Sequence, residues 1–169
     1  PRFLTLVQGD RDALKLATLF QMTFPGAPCI YYGDEIGVEG NHDPDCRRAF
    51  PWDEDRWDHD LLTFFRRATR MRHEYPALRR GRYLRLHADD QHRVCAFARQ
   101  SPEGETLVVV LNNGATDYDP DMPIPDLFTD GAILHDLWQG GQAQVAAGRL
   151  VGATLPPRSG AVYHDGGAS

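Results

Sequence analysis

Lysine is almost missing from this chain: Lys15 is the only one, and arginine carries the remaining basic charge. That bias reads as genomic base composition and supports no function by itself. Acidic residues outnumber basic ones, and the net charge of -6 argues against a nucleic-acid partner. Cysteine is scarce. Cys29, Cys46 and Cys95 are odd in number and contain no close pair, so they give neither a disulfide framework nor a zinc spacing. Cys29 and Cys95 lie in apolar, strand-like runs and are expected to be buried thiols. Reduced thiols fit a cytoplasmic protein. No apolar run approaches the ~20 residues of a membrane span, so no membrane association is expected. Internal repeats and low-complexity segments are missing too, and no signal peptide or initiator Met is visible. The chain lacks a Ser-His-Asp order, a phosphate loop, a dinucleotide fingerprint and a Ca²⁺-loop spacing. His42, Asp43 and Asp45 therefore suggest no metal, and no cofactor is implied.

What is present divides near Gly81. Among the 169 residues, 41% are hydrophobic and 25% charged, ordinary values for a packed protein. Before Gly81 the pattern is helix, strand, long loop, helix. Asp10 can cap a helix running to about Phe24, with Leu14, Ala17, Phe20 and Phe24 on one face and Leu16 and Leu19 widening it. Pro25-Gly26 stops that helix. An apolar run over 28–32 follows, bounded by turn residues, and suits a parallel strand buried on both faces. A second helix begins near Asp58, repeats Leu61, Phe64, Phe65, Ala68, Met71 and Tyr75, and ends at Pro76. The arginines at 66, 67, 70, 72, 79, 80, 82 and 85 read as a solvated helix face and its surroundings. After Gly81 the period changes to two. Strands are expected at 83–87, 93–100, 106–112, 132–138, 142–147, 150–155 and 160–164, separated by turn signals such as Asn113-Gly114 and Gly140-Gly141. Residues 116–130, with three prolines, read as an irregular crossover. Seven short strands with a long crossover fit an antiparallel Greek-key sandwich.

The segment 25–37 holds the strongest site signal. An apolar run ends in Gly33 and two carboxylates, Asp34 and Glu35, and a polar loop rich in Asp, Arg and Trp follows. The C-terminal end of such a strand is where α/β barrels and doubly wound sheets keep their chemistry. Adjacent strand residues point to opposite faces, so Asp34 and Glu35 cannot converge as an acid/base pair; one of them is expected to accept backbone or Arg hydrogen bonds. Asp43 and Arg47 lie four apart. Read from the residues alone, they suit a local ion pair that orders the loop. Trp52 could offer an open aromatic platform or, like Trp57, anchor the loop.

The pattern Gly-x-Pro-x-Ile-Tyr-Tyr-Gly-x-Glu, from Gly26, Pro28, Ile30, Tyr31, Tyr32, Gly33 and Glu35, resembles the end of the catalytic barrel in the α-amylase family of glycoside hydrolases. The run 43–53 (Asp-Pro-Asp-Cys-Arg-Arg-Ala-Phe-Pro-Trp-Asp) and the opening Pro-Arg-Phe-Leu-Thr resemble its neopullulanase, cyclomaltodextrinase and maltogenic amylase branch. The run 155–162 is similar to the last strand of that family's C-terminal sandwich. The resemblance implies a fold of α/β plus all-β class. Residues 1–80 would be the C-terminal part of a TIM (β/α)8 barrel (helix 7, strand 8, loop, helix 8), and 81–169 the antiparallel Greek-key β-sandwich. It implies a retaining α-glucan hydrolase acting on α-1,4 or α-1,6 bonds. Its nucleophile, general acid and stabilising Asp would lie upstream, the last in a His-Asp pair just before Pro1. It implies no catalytic residue here, and substrate contacts at Asp43, Arg47, Arg2 and Trp52. The expected partners are an α-glucan oligosaccharide or cyclodextrin, and the remainder of the barrel or a second copy to cover the apolar faces that one lone strand leaves bare. The competing readings are a β-sandwich module that holds a glucan without cleaving it, with Tyr83, Phe97, Tyr118, Trp138 and Tyr163 as candidate aromatics, or a purely structural sandwich.

Overall fold

The computed structural model describes residues 1–166. Four helices lead: α1 (Phe3–Leu6), α2 (Arg11–Thr23), α3 (His59–Glu74) and α4 (Pro76–Arg80). Local chemistry sets their ends. The Asp10 carboxylate accepts from the Ala13 N–H at 2.9 Å and starts α2; the Asp58 carboxylate accepts from the Leu61 N–H at 3.0 Å and starts α3. Each satisfies a donor that an N-terminal turn leaves open. Pro76 does not merely stop α3 but opens α4, where its missing N–H costs nothing.

Eight strands follow: β1 (Arg82–Asp89), β2 (Val94–Gln100), β3 (Thr106–Asn112), β4 (Asp121–Pro123), β5 (Ile133–Asp136), β6 (Gln142–Ala146), β7 (Arg149–Gly152) and β8 (Ser159–His164). They form one antiparallel sheet in the order β1-β2-β3-β8-β5-β6-β7-β4. The two edges, β1 and β4, touch, so the sheet is rolled and nearly closed, as in a β-sandwich. β4 lies within the crossover expected to be irregular. Pro120 precedes it, Pro123 is its last residue, and it pairs with β7 only, an edge position that tolerates proline.

The inside of the roll holds Val94, Ala96, Ala98, Val108, Val110, Leu134, Val145, Leu150 and Tyr163. Its outer face over β2, β3 and β8 presents Phe97, Leu107, Val109, Leu111 and Val162 to Leu16, Leu19 and Met22 of α2 and to Ala68, Met71 and Leu78 of α3 and α4. β3 is thus covered on both sides, and its apolar run does not alternate. Each large side chain buried here stabilises by roughly 1.5–3 kcal/mol. α2 sits so close to β8 that a Cβ on Gly160 would meet Leu111 Cδ2 at 2.7 Å and Leu19 Cδ2 at 2.9 Å.

Several expectations fail on burial, in whole or in part. Of the expected α2 face, Leu14, Leu16 and Leu19 are buried, but Phe20 is 41% and Phe24 36% exposed. The docked face is Leu16, Leu19 and Met22, because α2 has apolar residues on two sides and the sheet covers one. The expected strand at 28–32 is not a strand: none of the eight strands lies beside it, and Ile30, Tyr31 and Tyr32 are each about 40% exposed. A parallel strand exists only through its neighbours. For the same reason Cys29 is exposed; Cys95 is exposed as well, on an outward position of β2 that the helices do not reach.

The arginines depart furthest from a solvated face. Arg72 of α3 is buried and donates to the carbonyls of Met22 (2.6 Å), Phe24 (3.2 Å) and Gly26 (2.5 Å). Arg99 of β2 is 1% exposed and donates to Thr23 O (2.6 Å) and Gly81 O (2.9 Å). Arg67 and Arg79 also donate to backbone carbonyls. Replacing Arg99 by Met leaves the Thr23 and Gly81 carbonyls without their charged donor. We expect a loss of about 3 kcal/mol in urea unfolding, against less than about 0.5 kcal/mol for Arg82→Met at the exposed edge.

Candidate functional site

The polar segment between α2 and α3 is built on a tight turn. Gly33 has φ 89°, and a Cβ there would lie 2.9 Å from Val38 Cγ2, so this turn requires glycine. The Val38 N–H donates back to Gly33 O at 2.9 Å, and a short 3₁₀ turn, Asp34–Ile36, buries Ile36. Two more 3₁₀ turns, Asp45–Arg47 and Glu54–Arg56, carry the chain to α3.

The loop from 39 to 48 is held from beneath. Arg2 donates from its backbone N–H to Gly40 O at 2.8 Å, and Gly40 donates to Thr5 Oγ1 at 2.9 Å. The Arg2 guanidinium reaches Cys46 O (2.9 Å), Tyr32 O (2.8 Å) and Asp34 Oδ1 (2.9 Å), and lies 4.6 and 4.9 Å from the Tyr31 and Tyr32 ring centres. Asp34 therefore takes the Arg partner expected for one of the two carboxylates. Burial pushes the Asp34 carboxyl up, and the Arg2 hydrogen bond and charge pull it back. Two atoms in this layer, Arg2 Nη2 and Glu35 Oε2, are buried with no hydrogen-bond partner.

The loop surface carries the other sequence candidates. Arg47 Nη2 lies 2.7 Å from Asp43 Oδ2, with the two side chains 66% and 59% exposed. The Asp43–Pro44 peptide is cis. Asp45 takes a bidentate contact from Arg48 at 2.7 and 2.9 Å and accepts from the Asn41 N–H at 2.7 Å. These donors hold the Asp45 carboxyl down at about 2. Tyr32 OH donates to Arg48 O at 3.0 Å. The two tryptophans separate. Trp57 donates its indole N–H to Pro51 O at 2.6 Å and packs on Phe50, so it anchors the loop. Trp52 is 84% exposed and touches Phe50 with a centroid distance of 4.9 Å.

So Asp43, Arg47 and Trp52 lie on the exposed part of one loop, while Arg2 lies under it. On the sheet, Phe97, Trp138 and Tyr163 are buried core, and Tyr83, 40% exposed, packs against Phe24 and Phe97. The aromatics considered as a sugar platform are mostly packing residues. Sequence reasoning missed the Tyr31–Tyr32 contact with Arg2 and the role of Thr5; the visible signal was the Tyr-Tyr pair itself.

The family model described as "Alpha amylase, catalytic domain" matches residues 1–74, and that described as "Neopullulanase-like, C-terminal domain" matches 83–164. Over 165 residues, 98% of the chain, it is 38% identical to neopullulanase 2 of Thermoactinomyces vulgaris, covering 28% of that protein. Over 163 residues, 96% of the chain, it is 37% identical to a cyclomaltodextrinase of Geobacillus thermopakistaniensis, covering 27% of it. The debranching enzyme of Nostoc punctiforme is similar in structure, with a TM-score of 0.81 and 35% identity over 96% of this chain and 33% of that one. The chain thus spans about a quarter to a third of the length of these relatives.

The depressed Asp45 carboxyl sets the acid limit of the loop. Its contribution is fully present above the ordinary carboxylate pKa and is lost as pH falls from about 4 to about 2. A carbon-detected NMR titration should place the Asp45 midpoint near 2, and Arg48→Met should return it toward the ordinary range.

Proposed function

Because this chain belongs to the α-amylase family of glycoside hydrolases, in the branch that includes neopullulanases and cyclomaltodextrinases, we propose that it is the C-terminal part of an α-glucan hydrolase. The observation that carries this reading is the order of the two matches along one chain, with the exposed Asp43–Arg47 loop inside the catalytic-domain match. The substrate would be an α-glucan oligosaccharide or a cyclodextrin, cleaved with retention at α-1,4 or α-1,6 bonds by carboxylates that lie on the rest of the catalytic domain.

Residues 1–80 would complete a (β/α)8 barrel, with 28–32 becoming its closing strand once a neighbouring strand is present, and the sandwich would begin near Gly81. A cleft of about 470 Å³ supports this division. It runs along α2 and 25–31 and is lined by Phe3, Phe20, Phe24, Pro28 and Ile30, an apolar wall of the kind that a completed barrel covers. The three unbridged cysteines support a reducing compartment, the cytoplasm.

Asp43 and Arg47 would hold a sugar at the edge of the cleft. Their ion pair uses one carboxylate oxygen and one guanidinium nitrogen, leaving the other oxygen and the rest of the fork for hydroxyls. Trp52, farther along the same segment, offers an open aromatic face for a sugar ring. The sandwich would be structural: its outer face covers α2, α3 and α4, and its large aromatics are spent in packing.

The pure chain, incubated with maltotriose, cyclodextrin and pullulan, should release no reducing sugar above buffer. Turnover by the chain alone would show that hydrolytic groups lie within it and sink this division of labour.

A further inference from the structure

We propose that Arg2 is a positioning residue for the loop that presents Asp43 and Arg47, acting through that loop's backbone rather than on the sugar. The inference rests on the glucan-holding reading of that pair. The Arg2 side chain is 1% exposed, so its guanidinium faces protein. Its Nε contact goes to Cys46 O, and the peptide that begins at that carbonyl ends at the Arg47 nitrogen. Because a peptide unit is planar, fixing that oxygen fixes the entry into Arg47. The Arg2 backbone N–H holds the other side of the loop at Gly40 O, and Thr5 holds the Gly40 N–H. Residues 41–45, Asp43 among them, span the gap between these anchors.

The remaining contacts make Arg2 rigid. Nη1 is shared between Tyr32 O and Asp34 Oδ1, and the two tyrosine rings lie against the guanidinium. A planar fork can bridge two carbonyls and a carboxylate at once, and a lysine ammonium at this place cannot. The exposed Asp43–Arg47 pair is too weak to order the loop itself.

The test is hydrogen exchange at the Gly40, Asn41, Asp45 and Arg47 amides in the chain, with Arg2→Lys and Arg2→Met, using the β2 and β3 amides as the internal reference. Exchange in the loop should accelerate at least about tenfold in Arg2→Met, and less in Arg2→Lys, while the sheet amides stay protected. In the full-length enzyme, both variants should raise KM for maltoheptaose more than they lower kcat, in the direction shown by Arg47→Gln. Unchanged loop exchange in both variants overturns the positioning role. Faster loop exchange with unchanged KM upholds the positioning role and overturns the glucan reading of Asp43 and Arg47. Should Arg2→Met lose protection in the sheet as well, Arg2→Lys decides by the same criteria.

Discussion

The C-terminal end of α2 is closed by two buried guanidinium groups, and the rest of the molecule is arranged around that closure. Arg72 arrives from α3 and Arg99 from β2, and between them they take the carbonyls of Met22, Thr23, Phe24 and Gly26. The last turn of a helix leaves carbonyls unpaired and carries a partial negative charge, so cations suit it. Burial pushes both guanidinium groups down from their ordinary values, and for Arg99 the charge of Arg72 adds to the effect. They start from so high a value that both remain charged. One helix end thereby ties α2 to α3 and to the sheet. Arg99 also holds Gly81 O, where the helical part gives way to β1. The direction in which the chain leaves α2, and hence the place of the Gly33 turn and the loop beyond it, follows from this junction.

The parts of the fold legible in the sequence were those governed by local chemistry. Asp10 and Asp58 announce helix starts because a carboxylate there meets free N–H groups within three residues. Most strands of the sheet follow from alternation and turns, and β3 matches its expected range. What escaped notice depended on partners far along the chain. β4 is three residues ending in a proline and exists because β7 lies beside it. Arg72 and Arg99 look like ordinary surface residues in a chain rich in arginine; only the convergence of α3 and β2 on one helix end makes them core. The segment 28–32 errs in the opposite sense: its composition is that of a buried strand, but composition does not supply the neighbours that make one.

The loop divides in the same way. The four-residue spacing of Asp43 and Arg47 leaves a loop-ordering ion pair open as an alternative to sugar contacts, and the two side chains do pair. Trp52 and Trp57 could not be told apart, since both flank the same acidic run. They differ in whether the indole N–H finds a carbonyl, and Trp57 finds Pro51 O. Arg2 was expected among the substrate contacts, with pairing to a carboxylate as the alternative; it pairs with Asp34, and its burial was not visible because the groups that enclose it come from positions 31–34, 40 and 46.

A pair that holds a sugar from an exposed loop, the role proposed for Asp43 and Arg47, would face two opposed demands. The side chains must be free to exchange partners with hydroxyl groups, and the backbone beneath them must not move. An exposed ion pair such as Asp43–Arg47 is worth about 0–1 kcal/mol, so opening it toward a ligand costs little. By the same measure it cannot organise ten residues of backbone, whose ordering costs about 1–2 kcal/mol each. The order must come from contacts withdrawn from water, where hydrogen bonds to a charged donor count for more. Arg2, Thr5 and Trp57 supply such contacts at several points beneath and along the loop. Labile side chains above a fixed backbone also reduce the entropy lost when a flexible oligosaccharide binds. That separation of roles explains why the best-buried arginine of the region is not the one that faces solvent.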